Sequence, residues 1–207
     1  MCGSESDQTV LASSNRFGSP DLDLRPPEML RSTMRWWLQE CPVCGYIARD
    51  LSEKKAADAD WLLSDQYLKM CRKAPENSLA ARFYRYYLIN MHDGDVENAF
   101  YAALHAAWAC DDAGDGGGAR NCRMTALFAF QKLEESQAVN ENMLLVNADI
   151  LRRAGMFSEL IERYGEQRFS EPLLDQILAF QLERARMKDP ACYTVADACG
   201  GKDRPIN

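Results

Sequence analysis

Residues 78–110 read SLAARFYRYYLINMHDGDVENAFYAALHAAWAC, and this stretch decides the fold. Ser78 stands where a helix cap is needed, and Leu79, Phe83, Tyr86, Tyr87 and Asn90 then recur at three- and four-residue spacing, one stripe of a helix. His92-Asp93-Gly94-Asp95 is a turn, and a second helix is expected from Val96 to about Cys110. Small residues, Ala99 and Ala106, fall on this second helix where two helices of a hairpin cross closely, and a larger side chain there would separate them. The arrangement resembles a tetratricopeptide unit, a helix-turn-helix of about 34 residues, with Phe83 at the aromatic position of its first helix and Gly94-Asp95 as its turn.

Working outward, a preceding helix is expected to start at Glu53 with Ser52 as cap and to carry Ala56, Ala59, Leu63, Tyr67 and Met70 on one face. Ala74-Pro75-Glu76-Asn77 ends it. Downstream, Asp111 to Gly118 reads as a loop whose flexible part is Gly116-Gly117-Gly118. Further helices are expected at 119–135, 141–154, 157–167 and 172–188, with Pro172 in a first turn and Pro190 just past an end. A second hairpin resembles the first: Ala148 is its small residue, Gly155 its turn and Phe157 its aromatic, although Leu160 stands where alanine is expected. The result is an irregular array of helical hairpins, stacked like repeats or packed as an ordinary helical bundle. Residues 191–207 are expected to be a short helix and a loose tail.

Residues 1–50 differ. Phe17-Gly18-Ser19-Pro20, Pro26-Pro27 and Cys41-Pro42-Val43-Cys44-Gly45 are too rich in Pro and Gly for long helices. Short strands are expected at Thr9 to Ala12 and at Met34 to Glu40. The C-x-x-C-G turn lets two thiolates face one ion, and the glycine allows the positive φ of the knuckle. Cys2-Gly3 looks like the latter half of another such turn. Cys2, Cys41 and Cys44 are therefore the expected metal ligands, and zinc is the expected ion, because a four-cysteine structural ribbon is the commonest host of this turn. Met1 occupies an x position of the pattern, so the reading frame is expected to begin a few codons earlier and to supply a fourth Cys. With the present start, water, a remote residue or a partner chain completes the site. A redox C-x-x-C normally opens a helix in a βαβ context, which this chain does not offer.

Other candidates are weaker. Asp21, Asp23 and Arg25 lie on one side of an extended segment and can hold a cation or a partner's basic residue; the plainer reading is a loop whose Arg pairs with its own Asp beside the metal module. Trp108, Asp111 and Asp112 close a helix whose dipole disfavours acids there, which points to function or to the start of a polar loop. Cys71, Cys110 and Cys122 read as core thiols, and Cys192 and Cys199 bracket Tyr193 to Ala198, a spacing that gives only a weak signal for a metal or disulfide role. His92 and His105 read as turn and helix positions rather than catalysts.

Composition bounds the function. Hydrophobic residues make up 47% of 207, enough for a sizeable core. The net charge of −7 disfavours a general nucleic-acid binder. No apolar run approaches the roughly 20 residues of a membrane span, and the polar start is not a signal peptide. A cytoplasmic location is the default, where eight cysteines are expected as thiols or ligands rather than disulfides. Neither a nucleophile elbow, a P-loop, a dinucleotide fingerprint nor a zinc-protease helix occurs.

Assembled, these residues resemble a bacterial family of unknown function, DUF2225. The resemblance is carried by Cys2-Gly3, by Phe17-Gly18-Ser19-Pro20-Asp21-Leu22-Asp23 with Arg25-Pro26, by Cys41-Pro42-Val43-Cys44-Gly45-Tyr46, and by Ala106-Ala107-Trp108-Ala109-Cys110-Asp111-Asp112. It covers the chain to about residue 190 and implies a paired C-x-x-C module followed by tetratricopeptide-like helices, with no established activity. The expected architecture is thus mainly α: a zinc-ribbon-like module at 1–50, an all-helical tetratricopeptide-like domain at 51–190 and a tail at 191–207. The expected role is a non-catalytic scaffold for a protein or peptide partner, with Trp36, Trp37, Tyr84 and Tyr86 as contact candidates. The alternative is a thiol-redox or metal-dependent regulator using Cys41 and Cys44.

Overall fold

Asn77 rather than Ser78 caps the central helix, its side chain accepting from the amide of Ala80 at 2.9 Å. The structure, a computed structural model, describes residues 2–53 and 59–201. Ala56 of the expected stripe lies outside the described residues, as do 202–207 of the expected tail. Among the described residues the chain is mainly helical, and no helix is long and apolar enough to cross a membrane.

The chain divides into two compact units, 1–14 with 32–129, and 15–31 with 130–207. This division cuts across the expected boundaries near residues 50 and 190.

In the first unit, β1 (Gln39–Glu40) and β2 (Ile47–Ala48) pair antiparallel, Gln39 opposite Ala48 and Glu40 opposite Ile47. Helices α1 (Ala59–Leu62) and α2 (Asp65–Cys71) precede the hairpin of α3 (Ser78–His92) and α4 (Val96–Asp112). α2 and β2 both pack on α3. One helix was expected where α1 and α2 stand. It is broken because the Ser64 side chain accepts from the amide of Tyr67 and starts a new helix.

The α3–α4 hairpin is as the periodicity requires. Gly94 takes φ +78° at the turn, and Asp95 caps α4 by accepting from Asn98. Ala99, Ala102, Ala103, Ala106 and Ala107 are all buried, so α4 approaches its neighbours along a face of methyl groups. Overpacking that face is costly. Ala106→Leu is expected to lower stability by about 1–3 kcal/mol, read from urea denaturation.

The triple glycine is helical, not a loop. α5 (Gly116–Glu135) begins there, and the Asp115 side chain accepts from the amide of Gly118 at 2.8 Å. A Cβ on Gly118 would meet that carboxylate and stand 3.0 Å from Cys110 Sγ, so this glycine answers a close approach rather than a need for flexibility. α5 runs through both units, its residues to Ala129 belonging to the first.

The expected strand at Met34 to Glu40 is a 3₁₀ helix, Arg31–Trp36, followed by β1 alone. The Trp37 amide donates to the Met34 carbonyl at 3.1 Å and its indole N–H to Thr33 Oγ1 at 2.8 Å, which winds the segment up. Thr9 to Ala12 forms no strand; Val10 is exposed.

In the second unit, α6 (Glu141–Arg153) and α7 (Phe157–Tyr164) form a hairpin through Gly155 at φ +78°, and both pack on α8 (Pro172–Arg186). α7 stops at Tyr164, three residues before the expected Gln167. Buried polar groups lock the three helices: Asn147 Nδ2 donates to the Tyr164 hydroxyl at 2.7 Å, and Gln181 Nε2 to the Leu145 carbonyl at 3.2 Å.

The last stretch contains the expected short helix. α9 (Val195–Ala198) is capped by Thr194 with a reciprocal bond from Asp197. The segment pairs with the proline-rich loop: the Leu22 amide donates to the Tyr193 carbonyl, and Val195 to Pro20, each at 2.9 Å.

Candidate metal centre

The C-x-x-C-G turn is the loop of the β1–β2 hairpin. The Cys41 amide donates to the Tyr46 carbonyl at 2.8 Å, and the Gly45 amide to the Cys41 carbonyl at 2.9 Å. Gly45 has φ +70°, a conformation in which a β-carbon would be strained. Glu40 anchors the hairpin to α3: Arg85 donates to both its carboxylate oxygens, at 2.7 and 3.1 Å, and Arg82 lies 3.4 Å away.

Cys2 comes to this turn from 39 residues away, its Sγ 3.6 Å from Cys41 Sγ. Gly3, after it, has φ +72°, nearly the value at Gly45. The ligand atoms of Cys2, Cys41 and Cys44 all lie within 4.8 Å of one another. Tetrahedral zinc with sulfur ligands at about 2.3 Å separates those sulfurs by about 3.8 Å. Among the described residues this is the one cluster of three such side chains placed to share an ion. Gln8 closes the segment onto the hairpin, its Nε2 donating to the Glu40 carbonyl at 3.3 Å.

The electrostatics suit a cation. Backbone amides of Cys44 and then Val43 point at Cys41 Sγ and lower its pKa to about 7. Cys44 is shifted the other way, first by burial and then by its thiol neighbours, although the Tyr46 amide opposes this. One thiolate thus forms readily and the second is resisted by the first. A dication removes that resistance, because ligation requires both as thiolates. The arrangement can hold a metal ion, with Cys2 exposed at its open side and Cys41 buried.

The other candidates belong elsewhere. Asp21, Asp23 and Arg25 are buried in the second unit, whereas the cysteine cluster lies in the first. Asp21 pairs with Arg31 at 2.7 Å and Asp23 with Arg153 at 3.0 Å, so the loop is clamped by partners from other positions, not by the expected Arg25 pairing alone. The Arg25 amide does donate to Asp23 Oδ1 at 3.3 Å. Asp111 is answered by Arg123, a buried guanidinium that forks onto it at 3.1 and 2.5 Å. The Arg123 charge offsets the unfavourable dipole at this helix end, which removes the functional hint. Asp112 is exposed, and Trp108 is core, its ring 4.6 Å from that of His105. Of the four aromatic contact candidates, Trp36 is exposed, Trp37 and Tyr84 are half-buried and Tyr86 is buried.

Sequence reasoning missed the Glu40 anchor. It carries no local signal, since Glu40 and Arg85 are 45 residues apart. Comparison of the chain with family models, with curated proteins and with solved structures returns no match.

Proposed function

We propose that this chain is a non-catalytic, cytoplasmic interaction protein in which Cys2, Cys41 and Cys44 hold a structural zinc ion. Its helical hairpins stack in tetratricopeptide-like fashion and offer a surface to a protein or peptide partner. Kinship with the DUF2225 proteins is part of the same proposal. The observation that carries the metal reading is the convergence of three sulfurs from opposite ends of 43 residues of chain, with a positive-φ glycine after Cys2 and after Cys44. In that position the ion ties the amino-terminal segment to the hairpin, which is what a structural site does. The acidic balance favours a protein partner over nucleic acid.

A second reading has its own support. The Cys41 thiol, held near 7, is the kind of group that attacks disulfides. Thiol titration with a chromogenic disulfide reagent separates the two. A structural site gives Cys41 and Cys44 that react slowly until a chelator is added. Rapid reaction before chelation, with reversible closure of a Cys41–Cys44 disulfide, supports the redox reading instead. Crosslinking in native lysate, with recovery of one partner at fixed stoichiometry, tests the scaffold role; its absence together with measurable turnover would end it.

A further inference from the structure

The first unit contains a cavity of about 500 Å³, lined in part by Trp36, Trp37 and Tyr86 of the aromatic contact candidates. That volume is within the range of small-molecule sites. Rings form much of its lining: Trp36 and Trp37, with Phe83 from α3 and His105 from α4. The rings of Trp37 and Phe83 both meet the imidazole edge-on at 5.3 Å, so the aromatic surface is continuous and set at right angles. Ala102, one turn before His105, leaves the space that a larger residue would fill.

Polar groups line the cavity as well: Gln39, Arg49, Asp50, Tyr86 and His105. His105 makes ring contacts but no hydrogen bond to any described residue. Burial, and secondarily the charge of Arg49, push its pKa down to about 3, so the imidazole is neutral and keeps one donor and one acceptor. Arg49, just past β2, lines the same cavity and is exposed, with no ion pair or hydrogen bond among the described residues. Its neighbour Asp50 also lines the cavity, with one carboxylate oxygen occupied by the Ser52 amide at 2.8 Å. The cavity therefore presents an uncommitted guanidinium beside aromatic walls.

We propose that this cavity binds a small, planar aromatic anion, its ring among Trp36, Trp37 and Phe83 and its acidic group on Arg49. The guanidinium fork suits a carboxylate or sulfonate, and the indole faces suit a flat ring. The neutral His105 adds a hydrogen bond without adding charge. The proposal is independent of what the cysteine cluster holds.

Calorimetry on the full chain with three probes tests it: 2-naphthoate, the uncharged 2-naphthamide and the cationic 2-naphthylmethylammonium. The expected result is saturable one-to-one binding of naphthoate, with the amide about tenfold weaker and the cation weaker still. Arg49→Gln, at an exposed position where folding is little affected, is expected to erase the preference for naphthoate over the amide while retaining weak binding of both. Circular dichroism confirms that the variant is folded. Equal affinity for the three probes, no binding of naphthoate, or an unchanged preference in the Arg49→Gln protein would each overturn the assignment.

Discussion

Replacing Cys44 by Ser is expected to strip the protein of its metal. The purified wild type should carry about one ion per chain by mass spectrometry, and the variant almost none. The reason is geometric and electrostatic. Cys44 and Cys41 are fixed by the hairpin turn, and Cys2 reaches them only through the segment held by Gln8. Removing one of three thiolates leaves two sulfurs and an exposed side, and a loss well beyond about a hundredfold in affinity follows, since even removal of groups behind a ligand costs about 10–100-fold. Substitution with cobalt provides a second readout, because thiolate ligation gives intense near-ultraviolet charge-transfer bands. Cys192→Ser, outside the cluster, is the control and should change neither. A Cys44→Ser protein that keeps its ion, or a wild type that never binds one, defeats the metal reading.

The largest expected effect on stability comes from Arg152→Ala, about 3–5 kcal/mol, the range for breaking a buried ion pair from one side. Arg152 is fully buried. It pairs with Asp149 at 2.5 Å, donates to the carbonyls of Asp189 and Ala191 at 3.0 and 2.7 Å, and lies 5.3 Å over the Tyr193 ring. Truncation leaves the buried Asp149 carboxylate without this partner and two carbonyls without their donor. Urea denaturation measures the loss. The double variant Asp149→Leu/Arg152→Met is expected to recover much of it, because no charge remains stranded. The pH dependence has a definite sign. Burial raises the Asp149 pKa, and the Arg152 charge opposes that rise. Without Arg152 the folded state takes up a proton at higher pH than the unfolded state. The variant's deficit should therefore shrink as pH falls toward the carboxylate range. A deficit under about 1 kcal/mol would show that the network is dispensable.

Long-range pairing of the same kind accounts for the conspicuous charges of the Asp21–Arg25 loop. Two carboxylates and a guanidinium in five residues are conspicuous in a sequence, but their answering charges, Arg31 and Arg153, are 10 and 130 positions away from Asp21 and Asp23. Asp111 is matched in the same way, by Arg123 on the next helix. Charges that look unmatched along the chain are matched in space, and one-dimensional spacing carries no record of the match.

The helical hairpins were legible because their signals are local. Apolar spacing near 3.6, a capping residue and a glycine at each turn act within a few residues of one another, so Ser78–His92 with Val96–Asp112, and Glu141–Arg153 with Phe157–Tyr164, follow from short windows. The C-x-x-C-G turn was legible for the same reason. Only the tertiary structure brought Cys2 to Cys41, wound Gly116–Gly118 into a helix around Asp115, and tied residues 20–22 to 193–195. Each of those outcomes depends on which distant surface fills the space beside a segment, and that is settled by packing of the whole unit rather than by the preferences of the residues themselves.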